Sequence, residues 1–193
     1  MINQLSTIIL EYLLKNKVIE DSDNEKQYYQ YGIEITISSI LNIVLIFLVG
    51  IIFKSVFESA FFLLLFIPIR QFTGGFHAKT YLKCNLLFCS LYIVVLLVSR
   101  ISFQYLSTYI VILISFICVS LIWYMCPVEH INKPIPNERK KQHKFKAAML
   151  GTIYGGLAIV LTAISNKYGA LTLYTLLLVT ALVIAAKICD TRR

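Results

Sequence analysis

Charged side chains are scarce in this sequence. Asp, Glu, Lys and Arg supply 15% of its 193 residues, where a soluble globular domain carries about 25%. That shortage excludes a water-soluble globule. It also excludes a disordered chain, which depends on charge and low hydrophobicity to stay unfolded. Acidic residues are the scarcer sign, 10 against 18 Lys and Arg. Four prolines and eight glycines are too few for a collagen-like or low-complexity segment. Five cysteines, an odd number without a CxxC pair, suggest neither a fully paired disulfide scaffold nor a cysteine metal cluster. No metal and no other cofactor is expected.

What is present is apolar. Hydrophobic residues make up 58% of the chain, and mean hydropathy is +0.76. The default reading is one integral membrane domain over residues 1–193. The opening Met1–Leu14 has no basic n-region, and Glu11 interrupts it, so a secretory signal is not expected. Its Ile2, Leu5, Ile8, Ile9, Tyr12 and Leu13 follow one helix face. That pattern predicts an amphipathic helix, lying on the membrane surface or packed on other helices. Residues 1–31 form the cytoplasmic or interfacial N-terminal segment.

Six apolar stretches follow: 33–53, 55–69, 84–99, 106–126, 147–165 and 169–188. Most reach the roughly 20 residues that cross about 30 Å of hydrocarbon as a helix. A membrane strand needs a closed barrel and polar alternation, which these stretches lack. The predicted fold is therefore all-α, with about six transmembrane helices plus the N-terminal amphipathic helix. Fifteen of the 18 basic residues fall before the first span, between spans two and three, between four and five, or at the C-terminal end. Only Lys54, Arg100 and Lys167 fall on the other side. The positive-inside rule then puts both termini in the cytoplasm. Topology accounts for the net charge of +8, so the bilayer is the expected partner and nucleic acid is not.

The segment 70–83, between the two shortest spans, holds most of the chemistry. It runs Arg70-Gln71-Phe72-Thr73-Gly74-Gly75-Phe76-His77-Ala78-Lys79-Thr80-Tyr81-Leu82-Lys83, and Cys84 follows. Gly74-Gly75 breaks a helix or permits close backbone approach. A thiol beside an imidazole is a nucleophile with its base, and Lys79 and Lys83 favour the thiolate. On one straight helix His77 and Cys84 share a face but stand about 10.5 Å apart. His77 must therefore sit on a bent segment that folds back. The bland alternative is an interfacial His near a small buried Cys.

The pattern Arg70…Gly74-Gly75-x-His77-x6-Cys84, with Lys133-Pro134-Ile135-Pro136 and Arg139-Lys140-Lys141 further on, resembles the AgrB family. That family comprises membrane cysteine endopeptidases of bacterial peptide quorum sensing. The resemblance covers nearly the whole chain. It implies that Cys84 is the nucleophile and His77 the general base, with Arg70, Gly74 and Gly75 in support. It also implies an AgrD-like precursor peptide as substrate and the bacterial cell membrane as location, with the site facing the cytoplasm. Cys84 would release the precursor's acidic tail and hold the rest as a thioester. An internal Cys or Ser would then close a thiolactone or lactone ring. A homodimer is left open.

Among the other residues, Glu34 near the bilayer is a candidate to orient the imidazole. Cys89, Cys118, Cys126 and Cys189 read as packing residues. His130 and His143 sit in the basic loop without a nearby nucleophile. Glu58 is explained by an i,i+4 pair with Lys54. The loop 127–146 carries Lys133, Arg139, Lys140, Lys141 and Lys144, which serve topology, anionic lipid or docking of the acidic tail. The rival class is a small membrane transporter or peptide exporter without protease activity.

Overall fold

The computed structural model describes residues 2–16, 22–74, 80–128 and 137–191. Among the described residues seven helices follow one another: α1 (Ile2–Lys15), α2 (Asp23–Ile52), α3 (Val56–Thr73), α4 (Tyr81–Ser102), α5 (Thr108–Met125), α6 (Asn137–Ile164) and α7 (Asn166–Thr191). Six of them, α2 to α7, are long and apolar enough to cross a membrane. The chain is an all-helical multi-pass membrane protein.

Helix α1, with 14 residues, is about 21 Å long and too short to span. It packs on α2 through the buried Ser6 and Leu10. Leu5, Ile8, Ile9 and Tyr12, on the face marked by the apolar periodicity, stay exposed.

Several helices start or end beyond their apolar runs. Helix α2 starts ten residues before the predicted 33, because Ser22 caps it and accepts from the Glu25 amide. The spacing Ser22-x-x-Glu25 is that of a capping box. Helix α6 starts at Asn137, so Arg139 to Lys146 are helical, not loop. Helix α3 continues through Pro68 to Thr73, which makes Arg70 helical as well. Helix α4 starts at Tyr81, capped by Thr80, which accepts from the Lys83 amide. Hydropathy reports where lipid begins, whereas caps report where a helix begins.

Helix α7 is the centre of the bundle and contacts α3, α4, α5 and α6. Its Leu171, Leu176, Val179 and Val183 join Phe62, Phe66, Tyr92, Leu96 and Ile122 in the main core. The rings of Phe62 and Tyr92 (4.8 Å) and of Phe66 and Phe88 (4.9 Å) bind α3 to α4.

The end of the bundle away from Cys84 holds Lys54, Arg100 and Lys167. The expected pair of Glu58 with Lys54 is not formed. Lys54 lies outside the helix at φ 52°, so the i,i+4 geometry does not exist. The buried Glu58 carboxylate instead pairs with Arg100 at 3.7 Å and with Lys167 of α7. Arg100 also donates to the Phe53 carbonyl at 3.0 Å.

Candidate active site

The C-terminal end of α3 is clasped to the chain that leaves α5. The Val128 amide donates to the Thr73 carbonyl at 3.0 Å, and Gly74 and Val128 form an isolated parallel bridge. Gly74 has φ 68° and ψ −150°, a region open in practice to glycine alone. A Cβ there would stand 2.1 Å from the Val128 carbonyl oxygen. Both constraints demand glycine. The Gly74 carbonyl accepts from Arg70 Nη1 and, at 3.3 Å, from Thr73 Oγ1. The clasp thus fixes the starting points of two segments, 75–79 and 129–136. Gly75, His77 and Lys133 fall in these segments, outside the described residues.

Cys84 lies in the first turn of α4, where its amide donates to the Thr80 carbonyl at 3.0 Å. It is partly exposed. A cation lies close to it. Arg70 is that cation, within electrostatic reach of the Cys84 and Cys126 sulfurs. Cys126, one residue past the α5 span, is buried. Burial pushes its thiol up to about 12, although Arg70 and Lys187 pull it down. Of these two thiols, only Cys84 combines access with a helix N-terminus. Helix α4 begins at Tyr81, and the backbone of its N-cap Thr80 is extended.

Glu34 does not stand alone at the bilayer edge. Its carboxylate accepts from Ser6 Oγ of α1 at 3.1 Å and from the Tyr81 hydroxyl of α4 at 2.8 Å. One turn further along, Ser38 Oγ donates to Asn85 Oδ1 at 2.9 Å. Sequence reasoning singled out Glu34. It had no signal for Ser6 or Tyr81 as its partners, or for the pairing of Ser38 with Asn85, since these pairs are 28 and 47 residues apart.

Helix α6 reaches the same region through Phe72. The His143 ring meets Phe72 edge-on at 5.6 Å, and Lys146 Nζ lies 5.1 Å from the Phe72 ring centre. His143 Nδ1 is buried without a hydrogen-bond partner. A histidine that looked remote in the chain thus meets Phe72, the neighbour in sequence of the clasp residue Thr73. Arg139, Lys141 and Lys144 are exposed on α6, and Lys140 is partly buried. Among the described residues, no three His, Cys, Asp or Glu side chains are grouped to hold a metal ion.

Fold and site together define a six-span helical membrane protein with a partly exposed cysteine at a helix N-terminus, beside a partly buried arginine and a glycine clasp. Comparison with known proteins specifies the class. The family model for accessory gene regulator B matches residues 6–184, and the chain belongs to that family. It is similar to two AgrB-like proteins of Clostridium perfringens. One is 29% identical over 161 residues, covering 80% of this chain and 74% of the relative. The other is 30% identical over 162 residues with the same coverage. It is also similar to the protein FsrB of Enterococcus faecalis, 25% identical over 152 residues, covering 74% of this chain and 62% of FsrB. No solved structure matches the chain. The family takes part in processing the peptide autoinducers of quorum sensing.

Proposed function

We propose that this protein is a membrane cysteine endopeptidase that cleaves the C-terminal tail from an AgrD-like precursor and promotes closure of the remaining peptide into a ring. The observation that carries the reading is Cys84 itself: a partly exposed thiol in the first turn of α4, with Arg70 in electrostatic reach. Family membership supports it.

In the proposed reaction His77 takes the Cys84 proton, and the thiolate attacks the precursor carbonyl. The tetrahedral oxyanion needs donors, and the first-turn amides of α4 are the nearest fixed dipoles to the thiol. The carbon–nitrogen bond then breaks, the imidazolium protonates the leaving amine, and the peptide stays on Cys84 as a thioester. An internal thiol or hydroxyl of the peptide attacks that thioester, the carbon–sulfur bond breaks, and the Cys84 thiol is restored. The product is a thiolactone or lactone. Two easier acyl transfers replace one difficult one, and ring closure outruns water only where the peptide is held in place.

Arg139, Lys140, Lys141 and Lys144 on α6, with Lys133, offer the precursor's acidic tail a basic surface. Phe72 links that helix to the clasp. Both termini and the site face the cytoplasm in this reading, as the skewed basic residues require. The test is precursor cleavage by Cys84→Ala in membrane vesicles. Loss of cleavage and of any thioester intermediate, with normal insertion, is the expected result. Retained cleavage would remove Cys84 from the nucleophile role, whereas no cleavage by the parental protein, with peptide export intact in Cys84→Ala, would assign the protein to the transporter or exporter class.

A further inference from the structure

Helices α2 and α4 run side by side in the same direction at a constant offset. Tyr81 donates to Glu34, Ser38 donates to Asn85, and Arg100 donates to the Phe53 carbonyl, each across 47 residues of sequence. Glu34 and Ser38 are one turn apart on α2, as Tyr81 and Asn85 are on α4, so each pair shares a helix face. Cys84 sits on α4 between the two rungs formed by Tyr81 and Asn85.

These rungs fix a position. Asn85 is 4% exposed and Ser38 7%, and an unpartnered polar group at membrane depth is costly. Turning α4 by one residue, about 100°, or sliding it by about 1.5 Å would break both rungs together. A single hydrogen bond between membrane helices contributes only modestly. Two in register are therefore enough to hold the first turn of α4 without locking the bundle. A reacting atom displaced by about 1 Å can lose about 100-fold in rate, so the rotation of that turn matters to Cys84.

The upper rung has a further tie. One oxygen of Glu34 accepts from Tyr81 and the other, at 3.1 Å, from Ser6, which is fully buried on α1 and shares its one hydroxyl hydrogen with the Asn3 carbonyl at 2.8 Å. One carboxylate thus connects the short helix α1 to the turn that carries the thiol.

We propose that Glu34 is a positioning residue for Cys84. Through Tyr81 it sets the rotation and depth of the first turn of α4, and through Ser6 it makes that setting depend on α1 being docked. The inference rests on the reading of Cys84 as nucleophile, and its test separates the two.

The experiment uses the full chain in lipid vesicles. Glu34→Ala removes both acceptors, Tyr81→Phe removes one donor while keeping the ring, and Glu34→Gln keeps an oxygen for Tyr81. Two rates are read. One is precursor cleavage as a function of precursor concentration. The other is alkylation by a maleimide of Cys84 as the sole cysteine, which needs no substrate. The expected result is a fall in kcat of about tenfold or more for Glu34→Ala and for Tyr81→Phe, with KM within about twofold. Cys84 alkylation shifts by about threefold or more in the same variants, because the turn is no longer held. The double variant is no worse than the poorer single one, since both break one contact. Glu34→Gln recovers most of the lost rate, and Ser6→Ala shows a smaller loss of the same pattern.

Unchanged kcat and unchanged alkylation in Tyr81→Phe would overturn the proposal, as would losses that multiply in the double variant. If Glu34→Ala does not insert, Tyr81→Phe against Glu34→Gln decides alone. If Cys84→Ala still cleaves precursor, the nucleophile reading fails. The alkylation rates then still report whether Glu34 holds that turn.

Discussion

Replacing Gly74 with alanine should open the clasp between α3 and the chain leaving α5. At φ 68° and ψ −150° a non-glycine residue costs about 1–3 kcal/mol in backbone strain. A Cβ placed 2.1 Å from the Val128 carbonyl oxygen also forces the two segments apart. The Val128 amide then loses its bond to Thr73, worth about 0.5–1.5 kcal/mol. Together these terms come to about 2–4 kcal/mol, which is about 30- to 700-fold in the closed-to-open ratio. The spans do not depend on this contact, so insertion and helix content should survive. Hydrogen exchange of the segment around Val128 should accelerate by about 30-fold or more, and precursor cleavage should fall in parallel. A Gly74→Ala protein with parental exchange at Val128 and full processing would refute the argument, because both the strain and the clash would then be absent.

Changing Lys140, Lys141 and Lys144 together to Gln should raise the precursor concentration needed for half-maximal processing while leaving the saturated rate near parental. The effect should fade between 0.1 and 1 M salt, as the screening length shrinks from about 10 to about 3 Å; cleavage titrations at both salts check this. Glu58→Gln strips Arg100 and Lys167 of their shared carboxylate and should destabilise the bundle by about 1–3 kcal/mol, discounted because both cations are partly exposed. Lys54→Gln should change it by less than about 0.5 kcal/mol; thermal unfolding in one detergent compares the two. A sole-cysteine Cys84 protein should resist a membrane-impermeant thiol reagent applied outside intact cells and react once the membrane is opened. Ready labelling from outside would invert the orientation.

The six spans were legible because lipid imposes one requirement, a long apolar run, on each of them. Their ends were not, because helix termini follow hydrogen bonding. Ser22 begins α2 and Thr80 begins α4 in polar sequence that hydropathy passes over. The Ser22-x-x-Glu25 spacing could have been read, but Pro68 within α3 and the helical Arg70 contradict the local rules for helix endings. Glu58 shows the limit most clearly. Its nearest cation in sequence is Lys54, yet its partners come from α4 and α7, which only the packed bundle brings together. Gly74 was marked as a place of close approach, and the Val128 carbonyl is what approaches. Cys84 was singled out from spacing and resemblance, whereas the rungs around it could not be read, since nothing in one sequence announces a constant offset between two helices.

Helix α7 gives the order of synthesis a physical meaning. It is made after α3, α4, α5 and α6 and contacts each of them. Until it arrives, Glu58 has Arg100 but lacks Lys167, and the buried faces of α3 and α4 still meet lipid in its place. Arg70 and Cys84 sit on those same two helices, so a chain halted before α7 holds the chemical groups of the site without the surface that steadies them. The surroundings of Cys84 are therefore complete only once α7 has been made and inserted. A truncated product should be inert toward peptide before a protease removes it.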